Sequence, residues 1–349
     1  MKNKRIRNYF SRLFGAFKWQ DWLTCAIGFT LIVTYITITI LEWHFRSLWV
    51  LEAYNIAGPG GHTILDDMKE IYDSSDPNAQ RVITELVYPN ATYLFWGGST
   101  YWFTFMSNVL MGVTLFIYPF YQKSRRAQTF YFASMVYIII VMLGYWGGVI
   151  FDNSIITQNR PFEMIKTLIM HAGAPFLGLF TLFAYERKRV RISTRSIWGF
   201  AAWPIAYLLF TVAIYFIGYK FMKPFGGTEL QRGVTIYGVV SFYHPIGYTG
   251  DSLFVVVVLD VVMVLCAIFT APVIGFTLRK VLRILLPGQK KRRKVYFIRP
   301  ESREAIAKHK AEIKQAKLDK KNQKLLAAST IETKNAALLE QNNNQDQTN

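Results

Sequence analysis

Polar and apolar residues segregate along this chain into long blocks, not short alternations. Six apolar runs stand out, at Trp22–Leu41, Thr100–Phe120, Thr129–Ile150, Ile165–Tyr185, Ile197–Gly218 and Leu253–Leu278. Each reaches the roughly 20 residues a helix needs to cross a bilayer. The pattern predicts an all-α polytopic membrane protein with six transmembrane helices. The first run is too long for a cleavable signal peptide, and no small-residue cleavage site follows it.

The polar blocks between the runs differ in sign. The N-terminus carries Lys2, Lys4, Arg5, Arg7, Arg12 and Lys18. Lys123, Arg125 and Arg126 follow the second run, and Arg187, Lys188, Arg189, Arg191 and Arg195 follow the fourth. Arg279, Lys280 and Arg283 open the tail. The block after the first run is acidic, with Glu42, Glu52, Asp66, Asp67, Glu70 and Asp73 among its charges. Basic loops stay cytoplasmic, so both termini are expected inside. The expected organisation is a basic cytoplasmic or interfacial segment 1–21, a first span 22–41, an outer loop 42–99, a five-helix membrane core 100–285 and a basic cytoplasmic tail 286–349. The tail reads as helical, then disordered. Within the outer loop, Asp66 to Ile71 reads as a short helix.

Composition sharpens this picture. The chain of 349 residues is 52% hydrophobic and 16% aromatic, with a formal net charge of +18. Its mean hydropathy is +0.20. The charge follows topology and lipid contact, and no nucleic-acid recognition module accompanies it. The run Lys290, Lys291, Arg292, Arg293 and Lys294 suits anionic lipid head groups, which attract juxtamembrane cations by about 1 kcal/mol each. A cytoplasmic protein partner is a further use for this tail. The two cysteines, Cys25 and Cys266, both lie inside runs, so neither a disulfide framework nor a thiolate metal site is expected. No cofactor is expected. Multi-pass insertion in the cell membrane follows from the runs and the charge order.

Candidate chemistry centres on His171, in the stretch His171-Ala-Gly-Ala-Pro175. An ionisable residue at membrane depth is costly and faces a bundle interior or a wet cavity. Pro175 has no N–H to give to the carbonyl four residues back, which is that of His171. The second span begins Tyr101-Trp-Phe-Thr104-Phe-Met-Ser107-Asn108. Thr104 and Asn108 share a helix face. The second and fourth spans run in one direction, which puts Thr104 and His171 at nearly the same depth. A neutral histidine is a suitable base for a threonine nucleophile, and Asn108 could donate to an oxyanion. Asp260, mid-span in Val255-Val-Val-Val-Leu-Asp260, is the rival partner of His171, as an orienting acid or as part of a polar relay. His244 and Asp152 are lesser candidates.

These residues resemble a known family. Tyr101-Trp-Phe-Thr104-Phe-Met-Ser107-Asn108 is similar to the aromatic-Phe-Thr-x-x-Ser-Asn pattern of the androgen-induced-gene family and its bacterial relatives. His171-Ala-Gly-Ala-Pro175 resembles that family's His-x-x-x-Pro pattern. Pro204-Ile-Ala-Tyr207 and Ile246-Gly-Tyr248 resemble its Pro-x-x-Tyr and Leu-Gly-Tyr. The likeness covers about residues 95–285. It implies an intramembrane threonine hydrolase of lipid esters that uses Thr104 and His171. Two other expectations stand beside it: a small-solute transporter component with a His171/Asp260 relay, and a non-catalytic membrane scaffold.

Overall fold

The computed structural model describes residues 17–96, 98–151, 160–289, 309–320 and 322–323. The chain divides into two units, Met1–Arg292 and Arg293–Asn349. The described part of the second is an exposed helix over 309–320. In the first, the helices are α1 (Trp19–Tyr54), α2 (Ile64–Ser74), α3 (Pro77–Val82), α4 (Ala91–Trp96), α5 (Phe103–Tyr121) and α6 (Arg125–Phe151). Then come α7 (Pro161–Leu168), α8 (Ala174–Ala184), α9 (Thr194–Trp198), α10 (Ala202–Gly218), α11 (Met222–Phe225) and α12 (Leu253–Val281). A π-helical turn, Ile169–Gly173, joins α7 to α8 without a break. No strand occurs among the described residues. Six helical stretches are long and apolar enough to cross a membrane: α1, α5, α6, α7–α8, α9–α11 and α12.

The first span does not stop at Leu41. α1 runs on to Tyr54 because no glycine or proline follows Leu41 before Gly58-Pro59. Its charge at Glu42 is buried but matched: the carboxylate accepts from Ser99 N at 2.8 Å and Ser99 Oγ at 2.6 Å. Lys166 Nζ lies 3.5 Å away. The short helix expected at Asp66–Ile71 is α2, longer at both ends. Thr63 and Asp66 form a reciprocal capping box at its start.

α1 crosses α5 where Gly28 presents no side chain. A Cβ there would stand 2.3 Å from Phe116 N, so only glycine permits this approach. α5, α6 and α8 enclose the core, where Met111, Leu115, Tyr131, Met135, Ile138 and Leu182 are fully buried. At the end bearing the 185–193 loop, Arg189 bonds both Asp21 and Glu186, and Tyr118 donates to Glu186 Oε2 at 3.1 Å. Burial pushes the Glu186 carboxyl up, against the pull of Arg189. This knot ties α1, α5 and the loop after α8 together.

Candidate functional site

Two prolines shape the bundle around α6. Pro204 in α10 leaves the carbonyl of Phe200 without its helical donor. The Tyr137 hydroxyl of α6 donates to that oxygen at 3.0 Å. Pro175 does the same to His171, and Trp146 Nε1, also on α6, donates to His171 O at 3.1 Å. The π turn adds a second consequence. Ala174 N reaches back to Ile169 O, five residues away. Met170 O is then satisfied from outside, by Asn108 Nδ2 of α5 at 3.1 Å. Side chains from two neighbouring helices thus replace the missing backbone donors, as hydrocarbon surroundings require.

The π turn holds the His171 ring between α5 and α6. His171 Nδ1 lies 3.0 Å from Thr167 O. A carbonyl only accepts, so Nδ1 carries the proton and Nε2 presents a lone pair. Nε2 stands 3.4 Å from Thr104 Oγ1. Tyr145 stacks on the His171 ring, with centroids 3.9 Å apart and planes at 16°. The expected meeting of Thr104 with His171 is therefore present in the geometry. It is longer than a tight hydrogen bond, as is common for such pairs before substrate binds.

Thr104 differs from other threonines of the spans. Thr24, Thr34, Thr37 and Thr39 each donate to the carbonyl four residues back at 2.9 Å. Thr104 is the second residue of α5, and the residue four before it, Thr100, lies in a separate 3-10 turn, Ser99–Tyr101, so Thr104 precedes the first completed turn of its own α-helix. Its hydroxyl reaches His171 Nε2 and also bonds the Tyr237 phenol. Its backbone N–H points to Tyr237 Oη at 3.5 Å. Tyr237 belongs to the irregular 226–252 segment and packs its ring near Trp102, with centroids 5.9 Å apart. Burial pushes the Tyr237 phenol above its ordinary value, against its hydrogen bonds to Thr104. It stays protonated at neutral pH.

Asn108 sits at the site with a different engagement from the one expected. It is fully buried. Its two amide hydrogens go to Thr104 O at 2.9 Å and Met170 O at 3.1 Å. Its Oδ1 accepts from Tyr35 of α1 at 3.2 Å. No amide hydrogen is left for an oxyanion. Asn108 ties α1, α5 and the π turn.

Asp260 lies on α12, and no hydrogen bond or ion pair joins it to His171. Its Oδ1 is buried without a partner. His244 Nδ1 pairs with Glu229 at 3.0 Å in the 226–252 segment, apart from Thr104. Asp152 and the run Lys290–Lys294 lie outside the described residues.

Sequence reasoning missed Tyr145, Trp146, Tyr237 and Lys166. Lys166 had a legible signal. It is a charge inside an apolar run, so it must be paired, and it contacts Glu163 at 2.7 Å and Glu42 at 3.5 Å. Tyr145 and Trp146 had none, because aromatic residues are frequent in every span, and Tyr237 lies between spans in a segment without periodicity.

Comparison with family models, with curated proteins and with solved structures gives no match, so the geometry of Thr104 and His171 carries the functional reading.

Proposed function

We propose that this chain is a lipid-ester hydrolase of the cell membrane, with the Thr104 end of the bundle facing outward. Thr104 is the nucleophile and His171 its base. The observation that carries the reading is the orientation of the His171 ring. Thr167 O fixes the proton on Nδ1, and Nε2 faces the Thr104 hydroxyl. A backbone carbonyl here does the orienting that a carboxylate does in other triads.

In the first step His171 Nε2 takes the Thr104 proton as Oγ1 attacks the ester carbonyl. The tetrahedral oxyanion collapses, and the imidazolium returns that proton to the departing alcohol. An acyl-threonine remains. Water then attacks it, His171 takes the water's proton, and collapse releases the acid with Thr104 restored by that same proton. With Asn108 occupied, the Tyr237 phenol is the donor the site offers to the oxyanion. Such a donor is worth about 3 to 4 kcal/mol in well-studied hydrolases. The resemblance to the androgen-induced-gene family supports the same two residues.

The test is turnover of fluorogenic long-chain esters by purified full-length protein. Thr104→Ala and His171→Ala should each reduce it roughly a thousandfold or more, while Thr104→Ser keeps a measurable rate. Equal turnover by wild type and both alanine variants would refute the assignment.

A further inference from the structure

A second phenol stands beside Tyr237. Tyr207 lies on α10 shortly after Pro204, where the Tyr137 bond to Phe200 O holds this end of the span against α6. Three rings surround its side chain. The Phe103 ring meets it edge-on, with centroids 5.2 Å apart and planes at 65°. The rings of Phe210 and Tyr237 lie at 6.0 Å and 6.4 Å. Phe103 precedes Thr104 in the chain, and Tyr237 Oη is the group 3.5 Å from Thr104 N. Tyr207 is therefore part of the wall around Thr104.

The ring of Tyr207 is accommodated, but its hydroxyl is not. The oxygen is buried, and no partner completes a hydrogen bond with it. The Phe103 N–H and the Tyr237 phenol approach it. An N–H cannot accept a proton, and Tyr237 Oη is already engaged with Thr104. A buried hydroxyl without an acceptor costs free energy. Phenylalanine would keep every ring contact and remove that cost, so packing does not account for the oxygen.

We infer that Tyr207 is a second oxyanion donor for an ester carbonyl at Thr104, acting beside Tyr237. The inference rests on the hydrolase reading above. A carbonyl oxygen seated between the two phenols accepts one hydrogen bond from each, and both bonds strengthen as that oxygen gains negative charge. Tyr207 keeps its proton throughout, and the transfer between Thr104 and His171 does not pass through it. The surrounding rings fix its position before substrate arrives, which is what makes such a donor effective.

Tyr207→Phe in the purified full-length protein tests it, because the change removes one oxygen. Turnover of the long-chain ester should fall about 10² to 10³-fold, in kcat with KM nearly unchanged. The unfolding midpoint should stay or rise, because an unpaired hydroxyl is lost. A clearly lower midpoint would make the hydroxyl a structural bond and overturn the inference whatever the rate. Thr104→Ala, measured alongside, separates the two readings. Lost turnover in Thr104→Ala with full turnover in Tyr207→Phe overturns the role of Tyr207 and leaves the nucleophile standing. A binding measurement needs no turnover. Oleate, a carboxylate like the acid product, is titrated calorimetrically in detergent into Thr104→Ala with and without Tyr207→Phe. Adding Tyr207→Phe should weaken binding at least tenfold, the effect of one hydrogen bond to a charged oxygen. Equal binding by the two proteins would overturn the donor, even where the Thr104 reading itself has failed.

Discussion

Asn108→Ala separates two roles that its position allows. Asn108 is fully buried and makes two hydrogen bonds to other helices, from Tyr35 OH at 3.2 Å and to Met170 O at 3.1 Å. The third, to Thr104 O, stays within α5. Bonds between helices in membranes average about 0.6 kcal/mol and reach about 1.7. Losing two therefore costs about 1.2 to 3.4 kcal/mol, with a further contribution from the cavity. The bundle should lose about 2 to 4 kcal/mol of stability. Denaturant or thermal unfolding in a fixed detergent measures this, and a double-mutant cycle with Tyr35→Phe isolates one bond. That coupling should be about 0.5 to 1 kcal/mol. An oxyanion donor behaves otherwise: its removal slows turnover about 10² to 10³-fold and leaves the fold alone. A stability change under about 0.3 kcal/mol would refute the tie between helices.

Three further outcomes follow from named contacts. Trp146→Phe removes the donor to His171 O and should cost about 0.6 to 1.7 kcal/mol, read by the same unfolding assay; Tyr145→Phe, which keeps the stacked ring, should cost less. Glu42→Ala takes away the acceptor for Ser99 and a partner of Lys166, and should destabilise by about 3 kcal/mol. Glu163→Ala, on a more exposed carboxylate, should cost less, and the reverse order would contradict the buried role of Glu42. Burial works to raise the Glu229 carboxyl, but hydrogen bonds from Ser241, Tyr215 and His244 outweigh it and hold the group below its ordinary value. Its contribution is therefore complete above the unfolded value of about 4.3 and is lost as pH falls through the lower folded value. Amide protection in 226–248 should hold down to about pH 5 and drop as pH falls below about 4, and Glu229→Gln should remove that dependence. A drop of the same size in the variant would place the titration elsewhere.

Much of this fold is legible in the order of residues, because hydrocarbon tolerates only long, self-satisfied apolar helices. The end of α1 is less so. Its helical register continues into polar sequence, and Glu42 is sustained by Lys166, more than a hundred positions away. Pro175 announces that the His171 carbonyl needs a donor, but naming Trp146 requires the rotation of α6, which packing of the whole bundle sets. The depth of Thr104 and His171 follows from rise per residue and span direction. That Thr104 precedes the first completed turn of α5 depends on where α5 starts, one residue before it, a boundary that periodicity cannot resolve. Tyr237 comes from a segment with no period at all. Asn108 shows the limit from the other side: its chemistry allows an oxyanion donor, and only its three partners show that the amide is already engaged.

The most direct measurement of the central claim is covalent labelling at Thr104. Purified full-length protein is treated with a fluorophosphonate probe, digested and mapped by mass spectrometry. The adduct should fall on Thr104 Oγ1. It should be absent in Thr104→Ala and strongly reduced in His171→Ala, with both variants folded by their unfolding midpoints. Labelling that is equal in all three proteins, or that maps to another hydroxyl, would contradict the pairing of Thr104 with His171 as nucleophile and base.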